Sequence, residues 1–133
     1  MPGAVVWFAD DQPADREFYK GFCQLHGADW QVETFPSAEK VLEAIKLQVP
    51  DLVMTDVDFG PGMNGLALTR ALKAEYPQVR VIVASASESA LIDWEAEEAG
   101  ADEFLSKPFR LDRLKATIQR LLESQTTEQE RKD

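Results

Sequence analysis

Three carboxylates, a hydroxyl and an ammonium stand at the ends of apolar runs in this chain. Ala4-Val5-Val6-Trp7-Phe8-Ala9 runs into Asp10-Asp11, and Leu52-Val53-Met54-Thr55 runs into Asp56. Val79–Ala84 is followed by Ser85, and Phe104-Leu105-Ser106 by Lys107-Pro108. Brought together, these groups could hold a hard divalent cation and a phosphoryl group. Mg2+ favours one or two carboxylates with water and a phosphate over a closed protein cage. An Asp carboxylate is also a nucleophile in phosphoryl transfer and forms an acyl phosphate. Two carboxylates about 4 Å apart repel by roughly 4 kcal/mol at an effective dielectric of 20. Gathering Asp10, Asp11 and Asp56 therefore makes sense mainly with a cation between them.

Each group also has a plainer reading. Asp10 or Asp11 could cap the helix that begins near Pro13. Asp56 could cap the next helix, although the Gly- and Pro-rich stretch 57–64 separates the two. Such a stretch lets a ligand approach the backbone closely. Ser85 could cap the helix after it or donate its hydroxyl to a phosphoryl oxygen. A lone lysine is most often solvated, but Lys107 precedes a proline, which keeps the chain extended. Its ammonium could then pair with a carboxylate or phosphoryl oxygen. At a sheet edge Lys107 and Ser85 would have little core to fill. Lys107→Ala is therefore expected to change stability by less than about 1 kcal/mol.

Strands are expected at 4–9, 30–35, 51–55, 79–84 and 101–105, and helices at 13–26, 37–48, 64–76, 87–99 and 110–123. Val81-Ile82-Val83-Ala84 is apolar at consecutive positions, as a strand buried on both faces requires. The run from Trp30 to Phe35 alternates and reads as an edge strand. Phe18, Phe22 and Leu25 suggest a buried stripe closed by a left-handed cap at Gly27. Ser37 can N-cap the helix carrying Val41, Leu42 and Ile45. Leu111, Leu114, Ile118 and Leu121 stripe the last helix. Five successive βα units predict an α/β fold, a doubly wound five-stranded parallel sheet with helices on both faces. The C-terminal strand ends of such a sheet share one edge, where ligands bind.

Length and composition bound the rest. A chain of 133 residues suits one domain. The expected domain is residues 1–123, with 124–133 a polar tail, either a frayed helical extension or a linker stub. A net charge of −10 argues against a broad nucleic-acid interface and against docking on anionic lipid. Cys23 is the only cysteine, which makes a reducing, cytoplasmic setting the default. No apolar run approaches the roughly 20 residues that span a bilayer. Cys23, Trp7 and Trp30 read as packing residues, Trp94 as partly exposed, and lone His26 as structural.

Taken together, the motifs resemble the receiver domain of bacterial two-component response regulators over roughly residues 4–123. They are Asp10-Asp11, Asp56, Pro61-Gly62-Met63-Asn64-Gly65, Ser85-Ala86, and the stretch from Gly100 through Lys107-Pro108-Phe109. The resemblance implies Mg2+ as cofactor, bound directly by Asp11 and Asp56, by Asp10 through water, and by the backbone carbonyl of Asp58. It implies that Asp56 accepts a phosphoryl group from a sensor histidine kinase or phosphotransfer protein, and that Lys107 and Ser85 bind phosphoryl oxygens. Phe104 would be the switch aromatic, turning inward as Ser85 moves, and the Lys107-Pro108 bond would be cis. Such a module is a phosphorylation switch and not a turnover enzyme. Two departures stand out. Gly65 lies one position later after Asp56 than the family's usual spacing, which places an extra residue near Gly60. Asp58 is acidic where many receivers are neutral or basic.

Other classes fit less well. Asp56-Val57-Asp58 resembles the DxD loop of haloacid-dehalogenase-type phosphohydrolases, but those carry it on the first strand. A flavodoxin-like FMN protein would meet repulsion from Asp10-Asp11 at the phosphate loop. An adaptor that is never phosphorylated would not need the full acid, hydroxyl and lysine set. The 87–99 helix is acidic through Glu88, Asp93, Glu95, Glu97 and Glu98, and the last helix carries Arg110, Arg113, Lys115 and Arg120. With the final strand, the two are expected to form a face for a phosphorylation-dependent homodimer or another partner.

Overall fold

The computed structural model describes residues 3–26, 29–86 and 90–132, with Ala90 and 124–132 described by backbone alone. Strands and helices alternate: β1 (Val5–Ala9), α1 (Pro13–His26), β2 (Gln31–Phe35), α2 (Ala38–Ile45), β3 (Leu52–Asp56), α3 (Gly65–Glu75), β4 (Arg80–Ser85), α4 (Ala90–Glu98), β5 (Glu103–Ser106) and α5 (Leu111–Lys132). The strands form one sheet in the order β2-β1-β3-β4-β5, with every neighbouring pair parallel. This is the doubly wound α/β fold expected from the alternation of periods.

The three inner strands explain their own sequences. Val6 to Ala9, Leu52 to Thr55 and Val81 to Ser85 are buried throughout, because helices cover both faces. β2 is an edge strand, as its alternation suggested, and among its residues Phe35 alone is fully buried. On one face Trp7, Val53 and Val81 pack against Val41 and Ile45 of α2 and Leu68 and Leu72 of α3. On the other, Phe8, Met54 and Ile82 pack against Tyr19 and Phe22 of α1 and Leu114 and Ile118 of α5. Each fully buried aliphatic side chain contributes roughly 1.5–3 kcal/mol.

α1 departs from the expected stripe. Its buried positions are Tyr19, Phe22 and Cys23, whereas Phe18 is half-exposed and Leu25 largely so. The spacing 19, 22, 23 is i, i+3, i+4, so the helix is rotated and Tyr19 stacks on Phe8, ring centroids 4.7 Å apart. Leu111 is likewise exposed at the start of α5, while Leu114, Ile118 and Leu121 are buried as expected. Ser37 does cap α2, accepting from the N–H of Lys40, and Asn64 caps α3 by accepting from the N–H of Ala67. The expected cap at Gly27 and the start of the helix expected at 87–99 lie outside the described residues, and Ser85, the other cap candidate, is the last residue of β4. α5 runs on to Lys132, since nothing from Ser124 to Lys132 is Gly or Pro to stop it.

At the edge of the sheet opposite the strand C-termini, Asp102 joins three elements. Its carboxylate meets the Lys73 ammonium of α3 at 2.6 Å and the Arg80 guanidinium of β4 at 3.4 Å. It also accepts from the N–H of Val81 at 2.8 Å. Lys73 in turn donates to the Val79 carbonyl at 2.8 Å.

Candidate functional site

Parallel pairing carries the chemistry-bearing residues to one edge. β1 and β3 pair Ala9 with Thr55, so Asp10 emerges beside Asp56. β3 and β4 pair Asp56 with Ala84, and β4 and β5 pair Ser85 with Ser106. Asp10, Asp56, Ser85 and Lys107 thus leave four adjacent strands along one line. Carboxylate oxygens of Asp10, Asp11 and Asp56 lie within 4.8 Å of one another. Three carboxylates at that spacing fit a hard cation that keeps part of its water shell.

The roles of the two neighbouring acids diverge. Asp10 is buried, and its Oδ1 accepts from the N–H of Gln12 at 3.0 Å. Its Oδ2 receives the Lys107 ammonium at 3.2 Å. Its own backbone is held as well, through its N–H to the Phe35 carbonyl and its carbonyl to the Arg16 guanidinium. Asp11 is partly exposed. Asp56 is mostly buried, accepts from the N–H of Val57 at 2.9 Å and lies 3.7 Å from the Lys107 ammonium.

Electrostatics follow from this crowding. Burial pushes the Asp56 carboxyl up to about 6, with Asp10 and Asp11 adding to it. Lys107 and the Val57 N–H work in the opposite direction without cancelling it. For Lys107, burial disfavours the ammonium, but Asp10 and Asp56 outweigh it and hold the group above the ordinary lysine value. Burial, followed by Asp10, Asp15 and Asp56, also raises the Tyr19 phenol. Burial pushes the Cys23 thiol up to about 11, so it is a packed thiol and not a reactive one.

Ser85 is buried at the end of β4, and its carbonyl accepts from the N–H of Lys107 at 2.8 Å. The Lys107-Pro108 peptide is cis, as the resemblance implied. Phe104 is partly buried against the core between the sheet and α2–α4. It also lines a groove of about 270 Å³ with Asp93, Ala96 and Glu97. Asp58 is exposed in the loop after β3 and is not one of the clustered carboxylates.

The sequence did not reveal how tightly the loop after β3 returns to the strand. A Cβ on Gly65 would stand 1.9 Å from the Asp56 carbonyl oxygen, and the Gly65 N–H donates to the Val57 carbonyl at 2.8 Å. Gly60 and Gly62 have φ of +77° and +101°, left-handed backbone that glycine adopts without strain. A groove of about 370 Å³ opens beside Lys107, lined by Asp15, Phe18, Tyr19, Ala86, Pro108 and Phe109. The half-exposed Phe18 thus forms a wall of this groove.

A parallel five-stranded sheet with clustered acids and a lysine at its C-terminal edge defines a class, and the comparisons name it. The response regulator receiver domain model matches residues 6–119, and the chain belongs to that family. The DNA-binding transcriptional regulator NtrC of Escherichia coli is 33% identical over 122 residues, covering 92% of this chain and 25% of that protein. The transcriptional regulatory protein ZraR of the same organism is 35% identical over 98 residues, covering 74% of this chain and 22% of that protein. Among solved structures, NtrX from Brucella abortus superposes with a TM-score of 0.89 at 29% identity, covering 98% of this chain and 29% of that one. The BeF3-activated DrrB receiver domain superposes with a TM-score of 0.81 at 26% identity, covering 91% and 98% respectively. The chain thus spans about a quarter of the length of the curated relatives it matches. It is a receiver domain of the response regulators, a signalling domain, and nothing favours the phosphohydrolase alternative. No described helix is long and apolar enough to cross a membrane.

Proposed function

We propose that this receiver accepts a phosphoryl group on Asp56 from a phosphohistidine of a partner kinase or phosphotransfer protein. The supporting observation is the convergence of Asp10, Asp11 and Lys107 on Asp56. With a carboxyl at about 6, Asp56 is ionised at neutral pH and has a lone pair to offer. Its oxygen attacks phosphorus, and the P–N bond breaks with its electrons left on the imidazole nitrogen, which takes up a proton. The phosphoryl group remains on Asp56 as an acyl phosphate. Mg2+ would be held by Asp11 and Asp56 directly, by Asp10 through water and by the Asp58 carbonyl. When bound, it neutralises the clustered carboxylates so that a further anion can enter. The two hydrogen bonds already made by Asp10 favour this indirect role.

Lys107 and Ser85 bind the arriving oxygens. Ser85 then moves toward the phosphoryl group, Phe104 turns into the groove beside α4, and α4 shifts. The apolar groove beside Lys107 receives the phosphodonor's surface. Residues 1–123 form the receiver unit, and 124–133 a polar tail or linker stub. The buried Cys23 suits a cytoplasmic setting.

The output face combines α4, with Asp93, Glu95, Glu97 and Glu98, and α5, with Arg113, Lys115 and Arg120. Glu88 lies outside the described residues. Two of the basic groups are already engaged, Arg120 with Glu103 and Arg110 with Asp112. A phosphorylation-dependent homodimer on this face would therefore be weak.

The test is incubation with a small phosphodonor and Mg2+, read by intact mass. One phosphoryl group is expected, lost on chelation and in Asp56→Asn. An undiminished gain in that variant refutes the reading.

A further inference from the structure

The loop after β3 bends through two left-handed glycines on either side of Pro61, and Gly60, Pro61 and Gly62 are all exposed. These three residues offer no buried side chain to hold the turn. Phe59 anchors the loop in the core on one side, and Asn64 caps α3 on the other. Between them, the Met63 N–H donates to Glu39 Oε2 at 2.9 Å. Among the described residues, this hydrogen bond reaches the Gly60–Met63 stretch from another element. Glu39 lies in the first turn of α2, where the helix dipole favours a carboxylate and the Ser37 cap fixes the helix start. The same carboxylate packs against Gly62, whose missing Cβ would stand 2.9 Å from Oε2. The backbone N–H groups of Met63 and of Glu39 itself hold the carboxyl below the usual range. It is therefore an anionic acceptor at any pH where Asp56 is ionised.

We infer that Glu39 is a positioning residue for the acidic site, tying the Gly60–Met63 turn to α2 so that the loop leaving Asp56 keeps one course. The inference rests on the reading of Asp56, Asp11 and the Asp58 carbonyl as the Mg2+ site. The loop that supplies Asp58 is fixed at Gly65 against the Asp56 carbonyl and at Met63 by Glu39. Without the second tie, the turn between them can take several courses, and Mg2+ binding must select one. A cation that needs a preformed set of oxygens then binds less tightly, by the fraction of time the loop is out of place.

The experiment uses the full chain and its Glu39→Ala and Glu39→Gln variants. Mg2+ is titrated by calorimetry, hydrogen exchange is followed at Met63, and the phosphoryl gain with a small phosphodonor is timed by mass. Glu39→Ala is expected to speed exchange at Met63 and to weaken Mg2+ binding by about threefold or more, the lower end of what one hydrogen bond contributes. Thermal stability should hardly change, since Glu39 is exposed. Glu39→Gln keeps an acceptor oxygen and should recover most of the Mg2+ affinity, which a general effect of altering α2 would not allow. Faster exchange at Met63 with unchanged Mg2+ affinity overturns the inference while leaving the phosphorylation reading intact. An unmodified chain that binds no Mg2+ and gains no phosphoryl group overturns both.

Discussion

Asp56→Asn should make the metal-free protein more stable at neutral pH, even though it removes the residue proposed to do the chemistry. The carboxyl of Asp56 sits at about 6 in the folded protein, against an ordinary value of 3.8. The folded state therefore disfavours the charged form. Below pH 3.8 both states hold the proton and Asp56 costs nothing. Between 3.8 and about 6 the unfolded chain has lost a proton that the folded chain still binds, so stability falls as pH rises through that window. Above about 6 the cost is constant. At about 1.4 kcal/mol for each factor of ten in proton affinity, it amounts to about 3 kcal/mol. Asparagine has nearly the shape of the protonated acid and never charges, so it should recover most of this. For a domain of this size the gain is about 10 °C in Tm. The assay is thermal or urea unfolding of both proteins with chelator, at pH 7 and again below pH 4. Added Mg2+ should stabilise the parent at pH 7 and narrow the gap. Equal midpoints at pH 7 with chelator would refute the reasoning. So would an equal advantage at both pH values, because that would make the effect one of packing and not of charge.

Lys107→Ala should cost roughly 2–4 kcal/mol at neutral pH, because it strands the carboxylate of Asp10, only 1% exposed, without its ammonium. Urea unfolding checks this, and a loss below about 1 kcal/mol would restore the view from sequence of Lys107 as a surface residue. Gly65→Ala should cost about 2 kcal/mol or more and slow phosphoryl uptake, since its Cβ would meet a backbone carbonyl and not a yielding side chain. Unfolding midpoints and timed mass spectra read both effects. Sedimentation of the phosphorylated chain should show weak association that disappears at high salt, since exposed charge pairs give little affinity each and are screened. Identical monomer behaviour at low and high salt would leave only a heterologous partner for that face.

Much of this molecule was legible in its sequence because two signals agreed. Period-two and continuous apolar runs marked the strands, and charged residues at their C-terminal ends marked the edge. A parallel sheet then gathers Asp10, Asp56, Ser85 and Lys107 without further information. What escaped was rotational phase and depth. Of the Phe18, Phe22, Leu25 stripe only Phe22 reaches the core; Tyr19 and Cys23 fill the rest of the space there, and Phe18 and Leu25 are left exposed. Lys107 looked like an edge residue, and only its contact with a fully buried Asp10 showed what its removal would leave behind. Glu39 carried no motif at all. Its role depends on a contact between residues 24 positions apart, across a loop whose course follows from glycine geometry.

The cluster around Asp102 has a mechanical meaning for the switch. It fastens α3, β4 and the start of β5 together at one end of the sheet, through two cations and a backbone N–H. Ser85 and Lys107 lie at the far ends of those same two strands. A strand riveted at one end and pulled at the other swings and cannot slide. If phosphorylation pulls on Ser85 as proposed, the strands would tend to turn about a fulcrum at Asp102. The travel would then be largest near Ser85 and smallest beside Lys73. α4, strung between the phosphoryl-edge end of β4 and the Asp102 end of β5, would be tilted by such a swing and not carried along with it.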